Sequence, residues 1–234
     1  MPNSPLTETM RPKRQIRSFV RREGRITPAQ RKALAELWTC YGIEDNDALL
    51  DCALLFGPGK PLTVEIGFGD GQCLRQLANA NQDMAYIGIE SHRSGVGRLL
   101  MSLQEDALTN VKVLIDDAVD ILTTRIASRS VDEFLIFFPD PWPKKRHHKR
   151  RLVNTDFLSS LARCLKPNGL IHIATDWDDY AQVIVDLIRA ESRLHNLSEQ
   201  GISPRPASRP ETKYERRGVR LGHQVYDIIA RRSP

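Results

Sequence analysis

The stretch Val64-Glu65-Ile66-Gly67-Phe68-Gly69-Asp70-Gly71 decides the fold. It joins a short apolar run, Leu62–Ile66, to a helical stripe through Cys73, Leu74, Leu77 and Ala78. A strand that passes through a glycine turn into a helix opens a nucleotide-binding α/β sheet. The glycines Gly67, Gly69 and Gly71 let the backbone turn sharply and a ligand come close. Their spacing is G-x-G-x-G rather than the dinucleotide G-x-G-x-x-G. Glu65 stands two residues before the first glycine. A carboxylate there is a poor neighbour for a pyrophosphate and a good one for a cationic ligand. An NAD-dependent reading fails on both counts.

Working outward, the same alternation repeats. Ala85–Ile89 reads as a strand ending at Glu90, residues 93–107 as a helix, and Val111–Ile115 as a strand followed by Asp116-Asp117. A short helix over 118–126 leads to the strand Phe134–Phe138 and a loop at 139–151. Then come a helix over 154–165 capped by Asn154, a turn at Lys166-Pro167-Asn168-Gly169, the strand Leu170–Ala174 and a helix over 178–190. A Pro-rich loop at 201–211 precedes a last strand, Val225–Ala230. Upstream, Thr27 caps a helix with Pro28 in its first turn and Leu34, Leu37 and Trp38 on one stripe, and Gly42 ends it. Residues 43–60 are left open up to the turn Gly57-Pro58-Gly59. Apolar strands alternating with helices imply right-handed βαβ units and a parallel, doubly wound α/β sheet, buried on both faces. Glu65, Glu90 and Asp117 then sit at the carboxyl ends of three adjacent strands, around the crevice where such sheets bind ligands. Glu90 is placed for ribose hydroxyls and Asp117 for an adenine amino group, which together predict an S-adenosyl-L-methionine site. For Asp117 the alternative is a cap on the following helix.

The 34 Lys/Arg and 29 Asp/Glu give a net charge of +5, but the distribution is uneven. Residues 1–32 carry nine basic side chains against two acids, and residues 33–143 carry seven against seventeen. Residues 144–151 carry six and no acid. An acidic centre flanked by basic segments suits a cationic ligand inside and a polyanion at the edge. The longest apolar run, Phe134-Leu135-Ile136-Phe137-Phe138, is far below the roughly 20 residues of a membrane span. The polar N-terminus is not a secretory signal, and its arginines lack the amphipathic spacing of a transit peptide. Cys40, Cys52, Cys73 and Cys164 form no C-x-x-C pair, which suits reduced thiols in the cytoplasm. No metal is expected, since His147-His148 lie in a basic run that repels cations. Residues 1–25 read as a flexible basic arm and 26–234 as one domain, expected to be a monomer, with a homodimer as the alternative.

The reaction side follows the fourth strand, in Pro139-Asp140-Pro141-Trp142-Pro143-Lys144-Lys145-Arg146-His147-His148-Lys149-Arg150-Arg151. Three prolines stiffen the loop around Asp140 and Trp142 at the crevice mouth, and the basic run has the composition of a phosphate-binding element. With Arg17–Arg22 plus Gly24-Arg25, Ile89-Glu90, Asp117-Ala118, Thr175-Asp176-Trp177 and Thr212-Lys213-Tyr214-Glu215, the chain resembles the bacterial tRNA (guanine-N(7)-)-methyltransferase family over roughly residues 14–230. The Asp-Pro-Trp-Pro-Lys-Lys-Arg-His string is the specific part, and the glycine loop is common to many methyltransferases. The resemblance implies a Rossmann-like class I methyltransferase with a seven-stranded sheet whose last strand is antiparallel. It also implies methylation of a guanine in the tRNA variable loop. Glu65, Glu90, Asp117 and Asp140 match the family's cofactor-side acids, and Asp140 also matches its catalytic residue. Lys144, Asp176, Thr212, Lys213, Tyr214 and Glu215 match substrate-binding positions, and Arg146, His147, His148, Lys149, Arg150 and Arg151 match the tRNA-contacting stretch. Asp176 as a helix N-cap and Thr212 to Glu215 as a capping box are the structural alternatives. Two other functions fit less well: an exocyclic-amine methyltransferase, whose Asp-Pro-Pro-aromatic element is similar to Asp140-Pro141-Trp142, and a non-catalytic RNA-binding protein of the same fold.

Overall fold

The structure is a computed structural model that describes residues 25–44, 46 and 48–234. The expected basic arm therefore lies, apart from Arg25, outside the described residues, as does the arginine motif up to Gly24.

The elements in chain order are α1 (Pro28–Glu36), α2 (Trp38–Tyr41), α3 (Cys52–Phe56), β1 (Leu62–Ile66), α4 (Gln72–Ala80), β2 (Ala85–Ile89), α5 (Arg93–Glu105), β3 (Val111–Leu114) and α6 (Ala118–Thr124). They continue with β4 (Val131–Phe137), a 3-10 helix (Lys145–Arg150), α7 (Thr155–Cys164), β5 (Leu165–Thr175), α8 (Asp178–Ala190), β6 (Leu194–Asn196), α9 (Lys213–Arg220) and β7 (Tyr226–Arg232). The seven strands form one sheet in the order β3-β2-β1-β4-β5-β7-β6. β1 pairs in parallel with β2 and β4, and β4 with β5. β7 is antiparallel to both of its neighbours, β5 and β6, so it alone runs against the rest. The order reverses between β1 and β4. Crossover chains leave that point in opposite directions, and this opens the crevice.

Capping residues read from the sequence act as such. Thr27 Oγ1 accepts from Gln30 N while Gln30 Oε1 accepts from Thr27 N, a capping box that starts α1. Asn154 Oδ1 accepts from Phe157 N at the start of α7. Two expectations change, and two stretches left without a reading gain an element. The turn at 166–169 is instead the first part of β5, where a register shift against β4 and a left-handed Asn168 (φ 64°) absorb the polar residues. The loop at 139–151 contains the 3-10 helix, residues 43–60 contain α3, and β6 is a three-residue edge strand too short to show a period.

The two faces of the sheet differ. Val64 and Ile66, Phe134 and Ile136, Ile171 and Ile173, and Ile228 and Ala230 pack with α6, α7 and α8 in the larger core. The alternate positions on these strands are Thr63 and Glu65, Leu135 and Phe137, His172 and Ala174, and Asp227. This second face is apolar around Cys73, Leu135, Phe137 and Ala174. It nevertheless buries Thr63, Glu65, His172 and Asp227. The sheet is thus buried on both faces, as expected, but the second face buries polar side chains among the apolar ones. Two of these buried polar groups are paired: His172 Nε2 is 2.7 Å from Asp227 Oδ1, and Arg209 lies 2.7 Å from both Asp227 and Glu215. Arg209, with 1% of its side chain exposed, thus fastens α9 to the sheet and also stands 5.7 Å over the Phe137 ring.

Candidate active site

The glycine loop at the end of β1 takes the backbone through three left-handed residues, Gly67, Gly69 and Gly71 (φ 74°, 61° and 76°). A Cβ at Gly71 would come within 2.6 Å of Leu99, so the loop can pass beneath α5 only as glycine. Next to it lies a cleft of about 680 Å³ lined by the loop, Glu90, Asp116, Asp117, Phe138 to Trp142, Asp176, Trp177 and part of α9. Strand ends from β1, β2, β3, β4 and β5 therefore meet around one cavity; of the three acids expected there, Glu90 and Asp117 line it and Glu65 does not.

The acids differ in state. Glu90 Oε2 accepts from Gly69 N at 2.9 Å, and Oε1 accepts from His92 N at 2.9 Å, which fixes the carboxylate against the glycine loop. Asp117 Oδ1 accepts from Val119 N at 3.0 Å and so caps α6 while also lining the cleft. Glu65 is 3% exposed and lies beneath the loop, outside the cleft lining. Its Oε2 is buried without a hydrogen-bond partner among the described residues. Burial pushes the Glu65 carboxyl up to about 8, with Glu90 and Asp70 adding to the effect. A buried acceptor without a donor has paid its desolvation and gained no bond in return. That, with a ring of further carboxylates, fits a ligand bearing an ammonium and a sulfonium.

Asp140 lies between two aromatic residues in left-handed backbone, Phe138 (φ 55°) and Trp142 (φ 43°). Each costs on the order of 1–3 kcal/mol, which surrounding contacts must hold. Phe138 N still donates to Ala174 O of β5 at 2.7 Å. Arg151 Nε donates to Pro141 O at 2.9 Å, Arg151 Nη2 donates to Asp179 Oδ2 at 2.6 Å, and the guanidinium lies 4.7 Å from the Tyr180 ring centre. Arg150 covers the Trp142 ring at 5.1 Å, and His147 meets that ring edge-on. The loop is thereby braced while Asp140 remains exposed in the cleft, without a hydrogen bond among the described residues.

The sequence-predicted substrate positions divide. Asp176 lines the cleft and does not cap α8, whose cap position is Trp177. Its Oδ2 is 3.1 Å from His223 Nδ1, and a Cβ at Gly218 would come within 2.7 Å of the same oxygen. Lys213 Nζ donates to Asp70 Oδ2 at 2.9 Å, tying α9 to the glycine loop, and Tyr214 lies over Gly69. Thr212 Oγ1 accepts from Glu215 N and caps α9. Glu215 is buried against Arg209 and lies 3.0 Å from Arg205. Thr212 and Glu215 thus build the helix rather than the cleft wall, and neither lines the cleft. Arg151 is likewise buried and engaged in bracing the loop, unlike exposed Lys145, Arg146 and Lys149. Lys144 is exposed just outside the cleft lining. His223 and Gly218 carried no local signal in the sequence, since their partner Asp176 is distant in the chain. Among the described residues no cluster of His, Cys, Asp and Glu could hold a metal, and no helix is long and apolar enough to cross a membrane.

A family model described as "Putative methyltransferase" matches residues 59–228. A tRNA (guanine-N(7)-)-methyltransferase of Alcanivorax borkumensis is 46% identical, covering 95% of this chain and 93% of the relative. One from Alkalilimnicola ehrlichii is 48% identical, covering 94% of each. Among solved structures, the 16S rRNA methyltransferase KamB superposes with a TM-score of 0.55 at 15% identity, over 80% of this chain and 95% of that one. The 16S rRNA (adenine(1408)-N(1))-methyltransferase of Catenulisporales acidiphilia gives 0.55 at 16% identity, over 78% and 90%. Both show the same fold. With Glu90 and Asp117 at strand ends around one cleft and near-complete alignment to these relatives, the chain belongs to the tRNA (guanine-N(7)-)-methyltransferase family.

Proposed function

We propose that the protein transfers a methyl group from S-adenosyl-L-methionine to the 7-nitrogen of a guanine in the variable loop of tRNA. The observation that carries this reading is the meeting of Asp140 and Asp176 with the glycine loop and Glu90 in one cleft of a chain about 46% identical to enzymes of that name. When bound, S-adenosyl-L-methionine supplies an activated methyl group on a sulfonium. The residues that would hold it are Glu65, Gly67, Gly69 and Gly71 at its amino-acid end, Glu90 at the ribose and Asp117 at the adenine.

Guanine N7 has a free lone pair and no proton to remove, and it is an acceptor on the major-groove edge. The protein's task is therefore alignment and electrostatics rather than base catalysis. Alignment alone can supply about 7–11 kcal/mol. Asp140, held by the braced loop, orients the purine and stabilises the positive charge that grows on it during transfer. Asp176, steered by His223 and Gly218, accepts from the N–H edge of the same base. A crevice at strand ends does not reach a stacked ring, so the target base leaves its stack to enter. Lys144, Lys145, Arg146, Lys149 and Arg150 hold RNA phosphates outside the cleft, in a cytoplasmic enzyme formed by residues 26–234.

The test is an unmodified tRNA transcript incubated with the protein and methyl-labelled S-adenosyl-L-methionine, followed by chain cleavage specific for 7-methylguanine. Label at one variable-loop guanine is expected. Label in methyladenine, or none, would sink the reading.

A further inference from the structure

We propose that Arg217 binds a backbone phosphate of the substrate RNA beside the target nucleotide, making α9 an RNA-contacting wall separate from the Lys145–Arg150 helix. The inference rests on the cleft being the site of guanine methylation and adds a residue and an element to it.

The helical spacing sets the geometry. Tyr214, Arg217, Gly218 and Leu221 recur at intervals of three and four, so they share one face of α9. All four line the cleft. Glu215 points away from it into the pairs with Arg209 and Arg205 that anchor the helix. The cations of α9 are used differently. Lys213 is paired with Asp70, and Arg216 lies 3.4 Å from Glu211. Arg217 is exposed and makes no ion pair or side-chain hydrogen bond among the described residues. The cleft is otherwise rich in carboxylates, and this guanidinium remains available at its wall.

Two anions could reach it, an RNA phosphate and the carboxylate of the cofactor. The position favours the RNA. Lys213, one turn earlier, faces the glycine loop where the cofactor's amino-acid end is expected, whereas Arg217 precedes Gly218, which abuts Asp176 on the substrate side. Exposed Tyr214 and Leu221 on the same stripe offer apolar surface beside the cation. Apolar and aromatic groups alternating with cations are what the bases and phosphates of a single strand take.

Wild type, R217Q, R217K, K149Q/R150Q and the combined triple variant R217Q/K149Q/R150Q are titrated with unmodified tRNA transcript across a salt series. Their affinities for S-adenosyl-L-methionine are measured by calorimetry. R217Q is expected to lower the slope of log affinity against log salt by roughly 0.7–0.9, the loss of one phosphate contact. R217K should keep the slope, and the triple variant should show the sum of its parts. Cofactor affinity and melting temperature should match wild type, because Arg217 is exposed and unpaired. A wild-type slope in R217Q overturns the proposal. So does weakened cofactor binding with an unaltered slope, which would assign the guanidinium to the cofactor carboxylate, and so does a melting temperature lowered by several degrees, which would make it structural. If the reaction itself were misread, wild type would fail to label guanine, a result independent of the R217Q slope.

Discussion

Among the described residues, nothing ties down the Asp140 carboxylate. The strain at Phe138 and Trp142 is borne by Arg151, Asp179 and Tyr180, and the acid between them is left exposed without a hydrogen bond among the described residues. Asp140→Asn keeps the shape and removes the charge. Turnover should fall about 10²–10³-fold with cofactor affinity within about twofold of wild type, as expected for a group that acts on transition-state charge. Single-turnover kinetics beside calorimetry would decide it, and unchanged turnover would refute the role. Glu65 is the opposite case, buried beneath the loop with its carboxyl pushed up to about 8. Its unfolded value is about 4.3. Between those values the folded chain binds more protons than the unfolded one, so this residue's contribution to stability falls as pH rises. The melting temperature of wild type should decline relative to Glu65→Gln between about pH 5 and pH 8. A pH-independent difference between the two would contradict it. A cationic ligand placed there favours the carboxylate, so cofactor binding near neutral pH should release a proton in wild type and not in Glu65→Gln. Calorimetry in buffers of different ionisation enthalpy reads that directly.

At the scale of elements, α9 is where most of the reading from sequence stops. Its start was legible, because Thr212 and Glu215 have the spacing of a capping box and Thr212 does cap the helix. The strand ends were legible too, since Glu90 and Asp117 follow short apolar runs and Glu65 sits within the last two residues of another, runs that local periodicity identifies. Arg209 was not. Its partners, Glu215 on α9 and Asp227 on β7, become neighbours only when β7 pairs with β5. His172 and Asp227 look like solvent-facing alternation in a strand, and they are buried because a distant guanidinium neutralises that face. Arg209→Met would remove the buried cation that Glu215 and Asp227 share, leaving Glu215 with half-exposed Arg205 and Asp227 with His172. The expected cost is about 3–5 kcal/mol in denaturant unfolding, with faster hydrogen exchange across α9. A loss below about 1 kcal/mol would show that the helix is held by other contacts. Gly218→Ala probes the other end of the attachment. Its Cβ would meet Asp176 Oδ2 at 2.7 Å, so either α9 or the carboxylate must shift. The value of kcat/KM for tRNA should fall about tenfold or more while the melting temperature stays near wild type. Full activity would mean that Asp176 does not depend on this close approach.

Across the whole molecule, the net charge of +5 conceals a division of labour. The acids gather at the strand ends around the cleft, and the cations lie on the loop after β4 and on α9. The basic run of residues 144–151 is not uniform, however. Lys145, Arg146 and Lys149 are exposed, Arg150 is half-buried over Trp142, and Arg151 is buried under the loop with Asp179 and Tyr180. Composition alone gave all of them to the RNA, because a run of like charges carries no sign of which member turns inward. The two groups should separate in a salt titration of tRNA binding. Replacing Lys145 and Lys149 by glutamine removes exposed charges that can meet phosphates, so the slope should flatten by roughly 0.7–0.9 per lost contact. Turnover at saturating tRNA should change little. Replacing Arg151 strands Asp179 and unlocks the Pro141 carbonyl, so its effect should appear in turnover and thermal stability, with a slope near that of wild type. An Arg151→Gln variant that flattened the slope as much as Lys149→Gln, while turning over normally, would put this residue back at the RNA surface and refute the bracing role.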